Sequence, residues 1–369
     1  MPTRFAIVYR SGLHPGEAWS GIPSGLADGL AELSLDASLI DAEPPHFAAL
    51  AAKAWATAVH GDRWDGMLAP EIVKLREATA RARARRVSSD VCVQMGSDFG
   101  NPLPLPRVTF EDMTVAQTIR LLRDEGPVKD LPRWLGRQRD LYRSVRGCCV
   151  ASRWAGQSVI DDYDVDRAKV HVVGFGRNFE PAPVPKSWEE PRFLFAGFDW
   201  QRKNGPMLIQ AFARLREEIP EARLDLVGDI PRIDTANVTV HGRLDRRDRT
   251  NRQLMERLFQ EATCFVMPSH YEPFGMVYVE AAAGGTPSIG TTVGGASDAI
   301  GAGGLLVDPT SERALVDAMR TLANPQRAAA AGAAALEHSR FYTWRAVAER
   351  VVRALALPGA TNGSLAQFL

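Results

Sequence analysis

The segment from Phe265 to Gly295 constrains the fold of this chain most, because a strand, a polar loop, a helix, a second strand and a glycine-rich loop follow one another there without a gap. Residues 264–267 form a short apolar run that ends at Pro268, which is typical of a buried strand in a parallel sheet. The helix is predicted to run to Ala283 and to stop at the two glycines that follow. The segment therefore predicts one β-α-β unit of an α/β sheet.

Two glutamates lie on either side of the predicted start of this helix. Glu272 belongs to the loop after the strand, and Glu280 follows it by eight positions. Ligands of α/β sheets bind at the carboxyl ends of the strands, where a helix N-terminus presents unpaired N–H groups to an anion. Carboxylates repel phosphate but accept hydrogen bonds from hydroxyls, so a nucleotide sugar, which carries both groups, would satisfy the whole arrangement. An ordinary β-α-β unit with two solvated glutamates is the alternative.

A second loop also points to phosphate chemistry. The segment from Gly197 to Gly205 follows the first predicted strand of the second half and opens its first helix, and it contains Arg202 and Lys203. Two cations beside a helix N-terminus suit a diphosphate, with the lysine as a point charge and the arginine as a planar fork. They would also stabilise a departing nucleoside diphosphate as its negative charge builds up. Solvated loop charges are the alternative.

Strands and helices alternate along the chain, which predicts a parallel, doubly wound α/β sheet in each half. In the first half, the predicted strands cover residues 5–9, 37–41, 66–69, 91–95, 108–110, 148–151 and 170–173, and the predicted helices cover 25–33, 47–60, 70–83 and 154–160. In the second half, the predicted strands cover residues 192–196, 224–227, 238–241, 264–267 and 305–307. Glycines and prolines between residues 174 and 185 mark a linker. The sequence thus predicts two domains, residues 1–178 and 179–340, followed by a helical segment over 341–369.

Polar side chains and glycines mark a possible ligand edge in the first half as well. Glu111 and Asp112 come directly after a predicted strand, where an acidic pair suits an acceptor hydroxyl. Alternatively, Asp112 caps the helix that begins near Thr114. Gly21 and Gly25, after the first strand, would let the backbone approach a ligand closely.

Two charged runs allow more than one interpretation. Residues 74–86 contain one lysine and five arginines at the end of a helix, which favours a solvated face over a membrane-surface patch. Four aspartates between residues 161 and 166 suggest a metal loop, but the EF-hand pattern needs glycine at its sixth position and glutamate at its twelfth. This chain has Arg167 and Val173 there. We therefore expect no metal site.

The overall composition excludes several classes of protein. The 44 basic and 44 acidic residues cancel over 369 residues, so no global field attracts nucleic acid or an anionic membrane. The four cysteines form no CxxC pair and indicate reduced core residues. No apolar window reaches about 18 residues, and the N-terminus lacks a signal-peptide pattern. We expect a cytoplasmic protein with no nucleic-acid partner and at most peripheral membrane contact.

These motifs resemble a known family. Glu272 and Glu280, within PSHYEPFGMVYVEAAAGGTP, resemble the E-x7-E signature of the retaining glycosyltransferases of family four, in the superfamily of glycogen synthase and phosphatidylinositol mannosyltransferase. That family has the GT-B fold, with two facing Rossmann-like domains and a cleft between them. Similar segments elsewhere in the chain are WSGIPSGLADGL (a glycine loop), FAGFDWQRKNG (a diphosphate loop) and CCVASRWAGQSVIDDYDVDRAKVHVVGFGRN (the approach to the interdomain linker).

The resemblance implies roles for individual residues. Glu272 would contact donor-sugar hydroxyls, Glu280 would take the ribose hydroxyls, and Lys203, helped by Arg202, would hold the diphosphate. Further donor contacts are implied for the main chain of Phe274, Gly275 and Met276, for Gly21 of the facing domain, for Arg243 and Leu244 near the base, and for the glycine turn of Gly294 and Gly295. The C-terminal helix would cross back onto the N-terminal domain.

The chain departs from the family at two places. Phe198 stands where many relatives have a basic residue, so either Arg202 substitutes for it or that contact is absent. Glu111 and Asp112 stand where relatives commonly have a histidine that faces the sugar. The resemblance implies metal-independent, retaining transfer from a nucleotide-diphospho-sugar to a glycan, lipid-linked or small-molecule acceptor, without a cofactor. A nucleotide-sugar epimerase of similar fold and a catalytically silent sugar-nucleotide binding subunit are the alternatives.

Overall fold

The structure, a computed structural model, describes residues 3–14, 17–60, 69–100, 102–121, 131–245 and 247–355. The chain forms two compact units. The first unit is Met1–Val173 together with Trp344–Leu369, and the second unit is Gly174–Thr343. Each unit contains a six-stranded sheet in which neighbouring strands run parallel. The predicted class, α/β with two parallel sheets, is confirmed.

In the first unit, strands and helices alternate along the chain. The strands are β1 (Arg4–Tyr9), β2 (Asp36–Asp41), β3 (Val91–Gln94), β4 (Arg107–Glu111), β5 (Gly147–Val150) and β6 (Val170–Val172). The helices that follow them in the chain are α1 (Ile22–Glu32), α2 (His46–His60), α3 (Pro70–Ala84), α4 (Val115–Leu121), α5 (Leu131–Ser144) and α6 (Arg153–Tyr163). The sheet order is β2-β1-β3-β4-β5-β6.

The second unit repeats this alternation. Its strands are β7 (Arg192–Ala196), β8 (Arg223–Val227), β9 (Val238–Gly242), β10 (Cys264–Val266), β11 (Ser288–Thr291) and β12 (Gly304–Val307). Its helices are α7 (Gly205–Glu218), α8 (Arg249–Glu261), α9 (Met276–Ala283), α10 (Ala296–Ile300), α11 (Glu312–Ala323) and α12 (Pro325–Ser339), and the next helix, α13 (Trp344–Ala354), belongs to the first unit. The sheet order is β12-β11-β10-β7-β8-β9. Among the helices of the described ranges, none combines the length and the apolar character that crossing a bilayer requires.

Helix α1 begins earlier than the sequence predicts. The prediction was residues 25–33, but α1 begins at Ile22, directly after Gly21. Gly21 has a φ of 83°, a left-handed conformation that glycine adopts at little cost, and Pro23 fits the first helical turn. The predicted strand over residues 66–69 lies outside the described residues except for Ala69, which precedes α3.

Helix α13 packs against α1 within the first unit, and this contact explains two glycines of α1. A Cβ on Gly25 would lie 2.1 Å from Cε2 of the Trp344 indole, and a Cβ on Gly29 would lie 2.2 Å from the Trp344 carbonyl oxygen. Arg345 donates to the carbonyl oxygen of Glu32 at 2.8 Å beside them. The prediction that Gly25 lets the backbone approach a ligand is wrong, because the space that its missing side chain leaves is filled by α13.

The cysteines are core residues, as the sequence predicts. All four are buried and free: Cys92, Cys148, Cys149 and Cys264. Burial raises the pKa of the Cys92 and Cys148 thiols to about 12. Both thiols are therefore neutral near pH 7, where a reactive cysteine would be a thiolate.

Candidate active site

Three neighbouring strands carry the predicted site residues of the second unit. Strand β10 pairs with β7 on one side and with β11 on the other. Because these strands are parallel, the loops after them meet at one edge of the sheet. Strand β7 continues in the chain to β8, on its far side from β10, so the order of strands reverses between β7 and β10. Ligands of open α/β sheets bind in the crevice at such a switch point.

An ion pair joins two of these loops. The Lys203 ammonium, from the loop after β7, donates a hydrogen bond to Oε2 of Glu272, from the loop after β10. The same oxygen accepts from the Ser269 hydroxyl at 3.2 Å. The Arg202 guanidinium lies 3.8 Å from it and donates to the carbonyl oxygen of Tyr271 at 3.2 Å. The structure thus brings Glu272, Lys203 and Arg202 together, and their contacts with a donor stay a prediction.

This cluster of charges is partly buried and internally balanced. The side chains of Lys203 and Glu272 are 12% and 8% exposed. Burial lowers the pKa of Lys203, against the opposing effect of the Glu272 carboxylate. Arg202 has its own carboxylate partner, Asp199, with Nε 3.1 Å from Oδ2. Two cations and two carboxylates are therefore paired with one another in this cluster.

The loop after β11 holds Glu272 from the other side. The Glu272 N–H donates to the Val293 carbonyl oxygen at 3.0 Å, and the Glu272 carbonyl oxygen accepts from the Gly295 N–H at 2.8 Å. Gly294, between them, has a φ of 110°, and a Cβ there would lie 2.2 Å from the Glu272 carbonyl oxygen. Gly294 and Gly295 therefore position Glu272, while their own contact with a donor stays a prediction.

Helix α9 begins beside the Glu272 side chain. Gly275, with a φ of 85°, directly precedes Met276, the first helical residue. A Cβ on Gly275 would lie 2.5 Å from the Tyr278 ring and 3.0 Å from Cγ of Glu272. The Tyr278 hydroxyl donates to the Met267 carbonyl oxygen at 2.6 Å and fastens the helix to the chain after β10. The first amides of α9, with the positive end of the helix dipole, are therefore held next to Glu272.

Phe274 and Glu280 are more enclosed than Glu272. Phe274 is 1% exposed, and its ring packs against Phe175 and Tyr342 at centroid distances of 5.5 and 5.4 Å. Glu280 lies within α9 and is 2% exposed, against 6% for Glu272. Because the Phe274 side chain is buried in this aromatic packing, the predicted donor contact would be made by the Phe274 main chain. The ribose contact of Glu280 likewise stays a prediction.

An aromatic ring lies near the residues predicted to receive the base. Arg243 and Leu244 follow β9, and Leu244 is 8% exposed. The Arg243 guanidinium lies over the ring of Phe198, 4.9 Å from its centroid. Phe198 is 60% exposed and follows β7, two strands from β9. Sequence analysis noted Phe198 only because many relatives have a basic residue at this position, whereas the structure shows it in a cation–π contact with Arg243.

In the first unit, Glu111 and Asp112 lie at the end of β4 beside a cavity of about 260 Å³. Strand β4 extends to Glu111, one residue beyond the prediction, and Glu111 is 4% exposed. Helix α4 is capped by Thr114, whose Oγ1 accepts from the Gln117 N–H at 3.2 Å. The alternative that Asp112 caps this helix is therefore wrong. Gly21 lies at the start of α1 in the same unit, and its contact with a donor stays a prediction.

Sequence analysis missed the other side chains of this cavity, among them Trp19, Trp134 and Gln138. Trp19 comes from the loop after β1, and the other two come from α5, so no local spacing links them to Glu111. Only the sheet order, which places β1, β3 and β4 side by side, brings these segments together.

The two charged runs have structural explanations. Asp162 accepts two hydrogen bonds from Arg120, each at 2.8 Å. In the basic run, Arg76 is buried with its guanidinium 3.4 Å from Asp98, while Lys74, Arg81, Arg85 and Arg86 are exposed. Across the described parts of the chain, no three His, Cys, Asp or Glu side chains are grouped so as to hold a metal ion.

The chain is similar in sequence to known proteins. Residues 190–324 match the family model described as Glycosyl transferases group 1. The matched segment includes the loops after β7, β10 and β11. The chain is 26% identical to D-inositol 3-phosphate glycosyltransferase of Streptomyces avermitilis, over 90% of this chain and 72% of that protein. A match to mannosylfructose-phosphate synthase of Agrobacterium fabrum is 29% identical but covers only 46% of this chain and 43% of that protein.

The fold also matches solved structures. Sucrose-phosphate synthase from Thermosynechococcus elongatus superposes with a TM-score of 0.68, over 95% of this chain and 98% of that protein, at 19% sequence identity. At this identity, the likeness shows the fold alone.

Proposed function

We propose that this chain transfers a sugar from a nucleotide-diphospho-sugar to an acceptor hydroxyl, with retention of configuration and without a metal ion. Its GT-B fold and its match to the model of group 1 glycosyltransferases support this proposal. The observation that carries the proposal is the meeting of Lys203 and Glu272 at the switch point between β7 and β10. A buried lysine and carboxylate at that edge present one group to a diphosphate and another to sugar hydroxyls.

The mechanism follows from the charges of the cluster. On binding, the diphosphate takes the Lys203 ammonium and the Arg202 guanidinium, and sugar hydroxyls donate to the Glu272 carboxylate that Lys203 releases. As the bond between the sugar carbon and the phosphate oxygen breaks, the leaving nucleoside diphosphate gains negative charge beside these two cations and the first amides of α9. The acceptor oxygen forms the new bond on the same face, and its proton passes to the leaving phosphate oxygen.

The direct test is transfer activity in variants of the ion pair. Lys203→Met and Glu272→Gln are each expected to lower the rate of transfer by about 100-fold or more, the usual effect of removing one electrostatic contact to a transition state. Each single variant also loses stability, because Glu272→Gln leaves the buried Lys203 ammonium without its carboxylate partner, and Lys203→Met leaves Glu272 with only the more distant Arg202 guanidinium. The double variant is expected to regain that stability without regaining activity. Thermal unfolding and an acceptor-dependent transfer assay measure the two effects separately.

Lys186→Met is the matched control. Lys186 lies in the same unit, where burial lowers its pKa to about 8, and its ammonium donates to the carbonyl oxygens of Phe259, Gln260 and Ala262 at 2.7–3.0 Å. Its removal is expected to reduce stability but leave turnover per folded molecule unchanged. Turnover without an acceptor would favour an epimerase instead, and a β-configured product from an α-configured donor would exclude retention.

A further inference from the structure

Glu111 lines the cavity of the first unit, and one of its two carboxyl oxygens has no partner among the described residues. Oε2 of Glu111 accepts hydrogen bonds from the Tyr142 hydroxyl at 2.7 Å and from Nε2 of Gln138 at 2.9 Å. Oε1 is buried and has no hydrogen-bond partner among the described residues. Buried polar atoms are nearly always paired, so an unpaired one on a residue that lines a cavity points to a ligand group.

The orientation of Glu111 is fixed by the groups behind it. Oε1 of Gln138 accepts from the Val115 N–H at 2.8 Å and from the Tyr163 hydroxyl, so the amide of Gln138 cannot turn without breaking two bonds. Gln138 and Tyr142 then hold Oε2 of Glu111. The position of Oε1 is therefore fixed before a ligand binds, which reduces the conformational entropy that is lost on binding.

Two indoles supply the apolar part of the cavity wall. The N–H of Trp19 donates to the Arg10 carbonyl oxygen at 2.9 Å, and the N–H of Trp134 donates to the Ser97 hydroxyl at 3.2 Å. Because both N–H groups are used within the protein, the indoles offer a ligand mainly carbon surface. Trp19 and Ser20 have positive φ values of 49° and 57°, a strained conformation that is uncommon outside functional sites.

Among the described side chains that line the cavity, Arg10 is the one cation, and it already has carboxylate partners. Arg10 pairs with Asp98 and lies 3.6 Å from Glu43, and Arg76 lies 3.4 Å from the same Asp98. These two arginines are therefore balanced by two carboxylates. The remaining ionisable groups of the wall, Glu111 and Asp112, are carboxyl groups, and neither offers a positive charge to phosphate or carboxylate.

We propose that this cavity is the acceptor subsite and that it takes an uncharged six-membered ring with several hydroxyl groups, one of which bonds to Oε1 of Glu111. The proposal rests on the glycosyltransferase function proposed above and names its acceptor class. The volume of about 260 Å³ is just below the roughly 300–1,000 Å³ of pockets for drug-sized ligands, so it suits one ring. The apolar C–H groups of such a ring pack on the indoles of Trp19 and Trp134, and phosphate esters of the ring are rejected.

Binding measurements on the full chain test this proposal. The panel contains myo-inositol, glucose, mannose, and methyl and octyl glucoside, together with inositol 3-phosphate and glucose 6-phosphate. Calorimetry and the change in tryptophan fluorescence are expected to show binding of at least one uncharged ring, and at least tenfold weaker binding of its phosphate ester. Preference for the octyl over the methyl glucoside would identify a glycolipid as the source of the ring, and equal binding would identify a free sugar.

Variants separate a ligand contact from a purely structural role of Glu111. Glu111→Ala is expected to weaken ring binding tenfold or more. The double variant Glu111→Gln with Asp112→Asn keeps hydrogen-bond partners for Tyr142 and Gln138. It is expected to reduce the ratio of the affinity for the uncharged ring to the affinity for its phosphate ester. Thr118→Ala is the matched control, because Thr118 lines the cavity but donates its hydroxyl to the Thr114 carbonyl oxygen at 3.0 Å. It is expected to change ring affinity less than twofold.

The proposal is overturned if no uncharged ring binds, if phosphate esters bind as tightly as their parent rings, or if the Glu111 variants bind rings as the unaltered chain does. Binding of UDP, GDP, ADP and TDP is measured in the same samples to keep the two ideas apart. If one of these nucleoside diphosphates binds and no uncharged ring does, only the acceptor inference fails. If none of the four binds, the proposed function fails as well.

Discussion

The two site carboxyls, Glu272 and Glu111, are buried by different means. Glu272 faces the Lys203 ammonium and the Arg202 guanidinium, so its negative charge is compensated. Among the described residues, the hydrogen-bond donors to Glu111 are the neutral groups of Tyr142 and Gln138. Burial, helped by the charge of Asp112, raises the pKa of Glu111 from 4.5 to about 7, although the hydrogen bond from Tyr142 opposes this rise. At the residue scale, therefore, the buried carboxyl of the second unit is part of an ion pair, whereas the buried carboxyl of the first unit has a raised pKa.

This difference predicts a pH-dependent stability that belongs to Glu111. Because its pKa in the folded chain is above the unfolded value, the stability that it contributes is complete below about pH 4.5 and is lost as the pH rises through about 7. At about 1.4 kcal/mol for each pKa unit, the loss reaches at most about 3 kcal/mol. Glu111→Gln keeps both hydrogen bonds of the protonated form, so it is expected to be more stable than the unaltered chain at pH 8 and equal to it at pH 4.5.

Urea unfolding at the two pH values measures this effect. The charges of Asp98 and Asp112 also act on Glu111, so the comparison is made between the variant and the unaltered chain at each pH. Glu217→Gln is the control, because Glu217 is exposed and its replacement is expected to change stability equally at both pH values. A gain for Glu111→Gln that is the same at pH 4.5 and pH 8 would contradict the account.

At the scale of elements, the sequence predicts the strands well because they are short apolar runs that end at proline, glycine or polar residues. Strand β7 has the predicted bounds, and β4 and β9 differ from them by a residue at one or both ends. Helix α1 was misplaced because the left-handed turn over Trp19, Ser20 and Gly21 cannot be read from local composition. The contact of Gly25 with Trp344 could not be predicted either, since it joins residues far apart in the chain.

The packing of α13 on α1 predicts different effects for three Gly→Ala substitutions. Gly29→Ala places a methyl group against the backbone of Trp344 and is expected to cost about 2 kcal/mol or more, because overpacking against main chain is not easily relieved. Gly25→Ala meets the Trp344 indole, which can move, and is expected to cost less. Gly136→Ala, in α5, meets no atom within 4 Å and is expected to be neutral or to stabilise the helix by about 0.5–1 kcal/mol.

The free energy of unfolding of the three variants, from urea titrations that follow the first unit, measures this order. The tryptophan signal of Trp344 reports the same contact directly, since it should change in Gly29→Ala and Gly25→Ala but not in Gly136→Ala. If Gly29→Ala were as stable as Gly136→Ala, α13 would not lie on α1 as described.

At the scale of the whole molecule, the same topology places a candidate site at the switch point of each sheet. In the second unit the loops after β7, β10 and β11 carry Lys203, Glu272 and Gly294, and the sequence identified all three as candidates. It could not predict that Lys203 and Glu272 pair, because the pairing depends on β10 lying beside β7. In the first unit the sequence located Glu111 but not the indoles around it, which come from segments that only the fold brings together.

The central claim is that the second unit binds a nucleotide-diphospho-sugar through Lys203 and Glu272. The most direct measurement is a thermal-shift screen of UDP-, GDP-, ADP- and TDP-sugars against the unaltered chain and against the double variant Lys203→Met with Glu272→Gln. A ligand that binds only the native state raises the melting temperature. The account predicts a rise with one of these nucleotides in the unaltered chain and none in the double variant, whereas no rise with any of them, or an equal rise in both proteins, would contradict it.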